Sequence, residues 1–345
     1  MPSIIEQIAA DLNISNASVS RALNDRPGVG KELRERILER ARELNYTPSV
    51  TARGLATSQT FSIGFFVREK PGLPTHTDPF YGEILHGVEA ICAQTDYHIA
   101  IATLTDTILT APAEFRFVRE RRIDGMVLAG PDIPSDFILA MHQTGMPVVL
   151  VDNRLEHTRV NCVNSDDLNG GYLAARHLIE KGHRQIGILS GPQKWASSAL
   201  RVRGYQMALL EAGLSWQVAV VERTTIESGE QAFHALLEQM PDVTGICAVN
   251  DSMAIGAIRA ATRLGITVPL DLSVVGFDDI AWAALNDPPL TTISVPKRQM
   301  GQEAARRLMS VFDDPDAQPV EVSVSVSLAE RQSSGQATRH KTNGL

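Results

Sequence analysis

The apolar run FSIGFFV, residues 61–67, begins the pattern that decides the fold of most of this 345-residue chain. Similar short runs recur after it, and segments with helical spacing such as EILHGVEAICAQ (83–94) separate them. The next runs are YHIAIAT (97–103), DGMVLAG (124–130) and MPVVLVD (146–152). Buried strands that alternate with helices are typical of a doubly wound parallel sheet. We therefore predict an α/β unit that begins near residue 61.

The same rhythm starts a second time further along the chain. QIGILSG (185–191) is followed by TGICAVN (244–250) and DLSVVGFDD (271–279), again with helical segments between them. A chain of 345 residues also exceeds one ordinary compact core. We predict two successive doubly wound sheet units between about residues 61 and 290. Because ligands bind at the carboxyl ends of parallel strands, the cleft between the units is the expected small-molecule site.

The pattern before residue 61 is helical. Residues 5–12 and 29–46 carry apolar residues at helical spacing, and ISNASVSRALND (14–25) lies between them. Two short helices joined by a tight turn and backed by a third form a helix-turn-helix, whose second helix enters the major groove of DNA. A small helical bundle without a ligand fits the same spacing. The spacing alone leaves both interpretations open.

Composition and charge limit the class of protein. The formal net charge is −8, yet residues 1–60 carry eight Lys or Arg against seven Asp or Glu, a balance of 8 − 7 = +1, so charge alone does not indicate nucleic acid. No run approaches the roughly 18 apolar residues of a membrane span, and no secretion signal is evident, so we expect a cytoplasmic protein. Cys92, Cys162 and Cys247 stand far apart in apolar surroundings, which predicts buried free thiols.

The motifs of common enzymes and metal sites are not found in this sequence. It contains no CxxC or HExxH spacing, no nucleophile elbow GxSxG and no phosphate-binding GxGxxG loop. We therefore expect no metal and no cofactor, and a core that binds a ligand without transforming it. An enzyme built on a doubly wound sheet is the alternative, which turnover of a candidate sugar would reveal.

Several motifs, in this order and spacing, resemble the lactose-repressor/galactose-repressor family of bacterial transcription factors. They are IAADLNISNASVSRALND (8–25), DPFYGEILHGVE (78–89), DDLNGGYLAARHLIEKGHRQIGILSG (166–191), AVNDSMAIGAIRA (248–260) and VPLDLSVVGFDD (268–279). The resemblance covers about residues 3–333 and implies an operator-binding headpiece, a hinge helix and an effector-binding core that dimerises. The implied boundaries are 1–46 for the headpiece, 47–60 for the hinge, 61–161 with 294–322 and 162–293 with 323–333 for the two subdomains, and 334–345 for a disordered tail.

The resemblance places the second helix of the headpiece in the major groove of operator DNA. Asn16 and Ala17 would then contact base edges, the first an adenine and the second a thymine methyl. Arg21, one turn further along, can donate a bidentate pair to guanine O6 and N7. Ser18 and Ser20 suit phosphate oxygens, which position the helix without reading sequence.

In the hinge, the resemblance implies that Leu55 enters the minor groove and that Ala52 lies at the close approach of two subunits. Inserting an apolar wedge unstacks a base step, and the bent duplex then contacts more of the protein. Gly54 lowers the stability of so short a helix by about 1 kcal/mol relative to alanine. We therefore expect the hinge to be helical only on DNA.

Eight residues of the core are candidates for effector binding, some because they match family positions, such as Phe80, Arg201 and Asp278, and others because they lie beside these or at strand ends that face the cleft. They are Phe80, Tyr81, Asp152, Trp195, Ser197, Arg201, Asn250 and Asp278. An indole face with planar polar groups nearby suits a sugar, although a purine would also stack on it. An ion pair between loops remains the alternative role for Arg201 and Asp278. Asp251, beside Asn250, is expected to face the cleft as well.

One position departs from the family pattern. Where the family has an amide after the subdomain crossing, this chain has Asp167, so any contact assigned to that position is in doubt. His177 is expected to be structural, because no nucleophile accompanies it.

The sequence therefore predicts a homodimeric repressor of sugar-utilisation genes whose operator binding is switched by a small sugar. A nucleobase or another metabolite acting as corepressor is the alternative effector. A carbohydrate-binding receptor without DNA function is a further alternative, which the headpiece disfavours.

Overall fold

The computed structural model describes residues 3–23, 27–46, 59–70 and 78–337, and it has a helical headpiece followed by two α/β subdomains. The headpiece helices are α1 (Ile4–Leu12), α2 (Asn16–Leu23) and α3 (Lys31–Glu43). Helix α1 begins at a capping box, in which the Ser3 hydroxyl accepts from the Glu6 N–H and the Glu6 carboxylate accepts from the Ser3 N–H. One fully buried residue from each helix fills the small core: Ile8, Val19 and Ile37.

Strands and helices alternate through the rest of the described chain. The strands are β1 (Ser62–Arg68), β2 (His98–Leu104), β3 (Gly125–Ala129), β4 (Val148–Val151), β5 (Asn161–Ser165), β6 (Ile186–Ser190), β7 (Trp216–Val220), β8 (Gly245–Ala248), β9 (Ser273–Asp278), β10 (Thr291–Ser294), β11 (Glu321–Val324) and β12 (Ser327–Ala329). The helices are α4 (Tyr81–Cys92), α5 (Asp106–Thr110), α6 (Arg116–Arg119), α7 (Ser135–Gln143), α8 (Asp167–Glu180), α9 (Ala196–Glu211), α10 (Ile226–Gln239), α11 (Asp251–Arg263), α12 (Ala281–Leu285) and α13 (Lys297–Asp313).

The strands form two six-stranded sheets, one in each subdomain. The first has the order β11-β5-β4-β3-β1-β2 and is parallel throughout, and the second has the order β12-β10-β9-β8-β6-β7, with β12 antiparallel to β10. Phe65 and Phe66 of β1 are both fully buried, in two different apolar clusters. A strand that is covered on both faces explains the continuous apolar run at 61–67. The predicted fold class is confirmed.

The three chain crossings between the subdomains lie a few residues from the predicted boundaries at 161, 293 and 322. Strand β5 pairs with β4 and β11 in the first sheet, so the first crossing comes after Ser165. Ser294 pairs with Asp278 in the second sheet, and Val324 pairs with Ser165 in the first. The prediction gave these boundaries only approximately, because an apolar run marks a strand without marking the sheet that the strand joins.

The chain end is ordered further than predicted, since residues 334–337 pack on the second subdomain. The Ser334 hydroxyl lies 2.8 Å from His177 Nε2, and Gly335 N–H donates to the Ser273 hydroxyl at 3.0 Å. The prediction of disorder from residue 334 was wrong for these four residues, because polar groups of the tail form hydrogen bonds with buried side chains of the second subdomain. Residues 338–345 lie outside the described ones. His177 has the predicted structural role.

The three cysteines are buried and free, as predicted. Burial raises the pKa of the Cys92 thiol to about 11. Among the described helices, none is long and apolar enough to cross a bilayer. The described residues also contain no group of three or more His, Cys, Asp or Glu side chains that could hold a metal ion.

Candidate DNA-reading helix and effector cleft

Helix α2 separates the residues that hold it in the headpiece from the residues predicted to read DNA. Val19 and Ala22 are buried against α1 and α3, while Asn16, Ala17 and Arg21 are exposed. Buried and exposed residues separate in this way because residues three and four apart lie on the same face of a helix. The three predicted base-contacting residues are therefore all exposed, and Ala17 and Arg21, four residues apart, lie on one face of the helix.

The serines of this helix are less free than the sequence suggested. The Ser15 hydroxyl accepts from the Ser18 N–H at 3.1 Å, which caps the helix, and it lies 2.9 Å from the Ser18 hydroxyl. Ser18 and Ser20 are half-buried. Ala52 and Leu55, the predicted hinge contacts, lie outside the described residues.

A cleft of about 1810 Å³ separates the two subdomains. It is lined by loops that follow the strands, which is where an open parallel sheet presents its ligand site. All eight residues predicted to bind the effector line this cleft. Phe80, Tyr81 and Asp152 belong to the first subdomain, and the other five belong to the second.

Arg201 forms the floor of the cleft on the side of the second subdomain. Its Nε donates to Asp167 Oδ1 at 2.8 Å, and its Nη1 donates to Asp278 Oδ1 at 3.0 Å and to the Val249 carbonyl at 2.7 Å. The guanidinium also stacks on the Phe277 ring, with Cζ 3.8 Å from the ring centroid. These contacts hold Arg201, which is only 5% exposed, in one orientation. Its Nη2 group takes no part in the hydrogen bonds given above.

Two glycines let α8 and α9 approach closely enough for this arrangement. A Cβ at Gly171 would collide with the Arg201 carbonyl oxygen, and a Cβ at Gly204 would collide with the Leu168 carbonyl oxygen. The backbones of the two helices are therefore in contact, which sets Asp167 beside Arg201.

On the opposite wall, Tyr81 donates its hydroxyl hydrogen to Asp152 Oδ2 at 3.0 Å. Burial raises the pKa of the Asp152 carboxyl to about 7, and the positive charge of Arg201 partly opposes this rise. Burial likewise raises the pKa of Asp278, to about 6. The two sides of the cleft therefore present carboxyl groups that can accept or donate hydrogen bonds near neutral pH, which suits a ligand rich in hydroxyl groups.

The aromatic wall is held by an aspartate and a lysine that the sequence reasoning missed. Asp78 Oδ1 accepts from the Phe80 and Tyr81 N–H groups at 2.9 and 3.0 Å. Lys70 Nζ lies 2.9 Å from Asp78 Oδ2 and 4.6 Å from the centre of the Tyr81 ring. The signal was present, because an aspartate directly before a proline, as in Asp78–Pro79, is typical of the start of a helical turn.

Trp195 and Ser197 stand at the start of α9, the tryptophan half-buried and the serine buried. Trp282 of α12 also lines the cleft, with 38% of its surface exposed, and the sequence reasoning did not select it. No motif distinguishes Trp282 from an ordinary surface residue. The second subdomain therefore brings two indoles to the cleft.

Asn250 and Asp251 have structural partners of their own. Asn250 caps α11 by accepting from the Met253 N–H at 2.9 Å, and its amide donates to the Thr224 carbonyl at 3.0 Å. Asp251 is fully buried, accepts from the Ile280 N–H at 2.8 Å and does not line the cleft. The expectation that Asp251 faces the cleft was wrong, because its carboxylate accepts from the Ile280 N–H and from the hydroxyl of Thr292 in β10.

Comparisons with known proteins agree with this architecture. Residues 60–332 match the family model of periplasmic binding proteins and the sugar-binding domain of the LacI family, and residues 4–49 match the model of bacterial regulatory proteins of the lacI family. A ribose operon repressor of Haemophilus influenzae is 32% identical over 316 residues, which cover 90% of this chain and 92% of that protein.

Two solved structures are similar over nearly the whole chain. One is the lac repressor dimer bound to operator and the anti-inducer ONPF, with 25% identity, a TM-score of 0.77 and coverage of 97% of this chain and 100% of that one. The other is a complex of the transcriptional regulator CelR with cellobiose, with 29% identity, a TM-score of 0.73 and coverage of 96% and 100%.

Proposed function

The chain belongs to the LacI family of bacterial regulatory proteins, and we propose that it is a repressor of sugar-utilisation genes whose operator binding is switched by a small sugar. The proposal rests on one observation, which is that a single chain contains both parts of such a switch. An exposed reading face on α2 stands at one end, and a deep polar and aromatic cleft lies between two subdomains at the other.

The sugar would be held from both sides of the cleft. Tyr81 and Asp152 offer hydrogen bonds from the first subdomain, Arg201 and Asp278 offer them from the second, and Trp195 supplies a face for the C–H groups of a sugar ring. A ligand that bridges the two walls binds the closed cleft more tightly than the open one. Such differential binding is what allows it to shift a conformational equilibrium.

Operator reading follows from the symmetry of a homodimer. Two headpieces related by a two-fold axis read the two halves of a roughly palindromic site, and two copies double the phosphate contacts of a headpiece with little net charge. The similar lac repressor structure is that of a dimer bound to its operator. We assign base contacts to Asn16, Ala17 and Arg21, and a cytoplasmic place of action because operator DNA is there. We assign no catalytic role to the cleft.

The DNA-reading part of the proposal is tested by a gel shift on DNA upstream of the gene itself. Arg21→Ala should lose specific retention while weak, salt-sensitive binding persists, because a bidentate arginine–guanine pair contributes about 1–3 kcal/mol of discrimination. Lys31→Ala, a change of equal charge at the start of α3, serves as the control. Unchanged specific retention of the Arg21→Ala protein would refute the assignment.

The effector is tested by thermal shift with monosaccharides, disaccharides and purine bases, followed by the same gel shift with each stabilising ligand. A sugar that stabilises the protein and weakens operator retention supports induction. A purine that stabilises the protein and strengthens retention replaces the sugar with a corepressor.

A further inference from the structure

At the floor of the cleft, the buried carboxylate of Asp167 pairs with the Arg201 guanidinium. Asp167 is 3% exposed and does not itself line the cleft. Its Oδ1 accepts from Arg201 Nε and from the Ser165 hydroxyl, both at 2.8 Å. Because Arg201 also pairs with Asp278 at 3.0 Å, two carboxylates share one guanidinium. The charge of this arginine is therefore already compensated within the protein.

Two cations of the opposite wall, Arg68 and Lys70, are paired in the same way. Arg154 of that wall lies 3.5 Å from Glu321, and Lys194 and Arg223 line the cleft from the second subdomain. Lys70 Nζ lies 2.9 Å from Asp78 Oδ2, and Arg68 Nη2 lies 2.8 Å from Asp106 Oδ1. Both cations line the cleft. A ligand that contacts either of them therefore also lies near its carboxylate partner. The walls of the inner cleft thus offer many hydrogen bonds but little net positive charge.

We propose that Asp167 is a positioning residue that restricts the effector to uncharged ligands and excludes sugar acids and sugar phosphates from the floor of the cleft. The inference rests on the proposed sugar-binding function. An anionic group placed against Arg201 would lie close to the carboxylates of Asp167 and Asp278, all three side chains being buried. Like charges repel strongly there, and burying another anion against a guanidinium that two carboxylates already pair is costly.

A neutral sugar avoids this repulsion. Its hydroxyl oxygens can accept from the Nη2 group of Arg201, and its hydroxyl hydrogens can be donated to Asp152 and Asp278. No new charge enters the floor, so the existing ion pairs stay intact. Hydrogen bonds to charged partners are also stronger than those between neutral groups, which favours binding.

Asp167→Asn is the matched change, because an asparagine Oδ1 can accept the same two hydrogen bonds while one negative charge is removed. It also restores the amide that the family resemblance predicts at this position. Asp166→Asn is the control: Asp166 is the neighbouring residue, and its side chain caps α8 by accepting from the Asn169 N–H, a role that asparagine also fills. Each variant loses one negative charge, but only the change at Asp167 affects a side chain that contacts Arg201.

The experiment measures the affinity of the full chain for matched pairs of probes by titration calorimetry. The pairs are D-glucose with D-glucuronate, D-galactose with D-galacturonate, and D-ribose with ribose 5-phosphate. We expect the wild-type protein to bind the neutral member of at least one pair, and to bind its anionic partner at least about tenfold more weakly. Asp167→Asn should reduce that ratio by about tenfold or more, while Asp166→Asn leaves it unchanged.

The outcomes separate this inference from the function on which it rests. An anionic probe that binds the wild-type protein as tightly as its neutral partner overturns the inference and leaves sugar binding in place, whether or not the variant folds. Equal weakening of both members by Asp167→Asn shows a merely structural role and also overturns it. Failure of every sugar, together with tight binding of a purine, removes the proposed function itself.

Discussion

Asp152→Asn should stabilise the protein at pH 8 and weaken its response to sugar. The ordinary pKa of an aspartate is 3.8, and burial raises that of Asp152 to about 7. The folded state therefore holds this proton more tightly than the unfolded chain does. Folding stability is lost as the pH rises from about 4 through 7, as the unfolded chain gives up the proton first and the folded protein is finally left with a buried anion. Asparagine keeps the acceptor for the Tyr81 hydroxyl without the charge.

A shift of about three pKa units corresponds to about 4 kcal/mol above pH 7, an upper bound because Arg201 and Asp278 would readjust. We expect the gain in unfolding free energy from Asp152→Asn to be small near pH 4 and on the order of 2 kcal/mol at pH 8. Urea unfolding followed by circular dichroism at pH 4.5, 6 and 8 measures it. Asp136→Asn, at an exposed position in the first turn of α7, is the control.

The pH dependence decides whether the reasoning is correct. A gain of the same size at every pH would mean that asparagine simply packs better, and a loss of stability at pH 8 would mean that the ionised carboxylate is needed by the fold. Either result refutes the account in which burial opposes the ionisation of Asp152.

Two other changes test the packing that supports the cleft and the chain end. Gly171→Ala should cost about 1–3 kcal/mol of stability and abolish the thermal shift by the effector, because the new methyl collides with the Arg201 carbonyl and separates α8 from α9. Ser334→Ala should lower the unfolding free energy by about 1–3 kcal/mol without changing operator retention, because it removes a buried hydroxyl that lies 2.8 Å from both His177 Nε2 and Thr291 Oγ1.

The fold was predictable because its signals are local. An apolar run such as 61–67 reads as a buried strand wherever it occurs, and the alternation with helices determines the class of sheet. Sheet membership is not local. Strand β5 contains Asn161 and Asn164 and pairs with β11, which lies about 160 residues away in the chain, so only the assembled sheet shows to which subdomain it belongs.

The candidate site was likewise predictable in part from the sequence. The eight predicted cleft residues came from a family pattern and from positions at strand ends, and the structure places them around one cleft. The pattern could not show that Arg201 has two carboxylate partners, because Asp167 and Asp278 are 34 and 77 residues away from it in the chain. It also could not separate Asn250, which lines the cleft, from Asp251, which is buried, since neighbouring residues at a helix start point in different directions.

Two carboxyl residues that line the cleft have locally unfavourable backbone conformations. Asp152 and Asp278 have left-handed backbone conformations, with φ of 55° and 109°, and Asp279 follows with 53°. Such angles are unfavourable for residues other than glycine, and the first two residues also carry buried carboxyls with raised pKa values. Fully buried strands on both sides hold these residues in place. A ligand that satisfies the carboxyls binds the folded state alone and stabilises it by about 2.7 kcal/mol at a hundredfold excess over its dissociation constant. A thermal shift should therefore reveal the effector before any assay of transcription can.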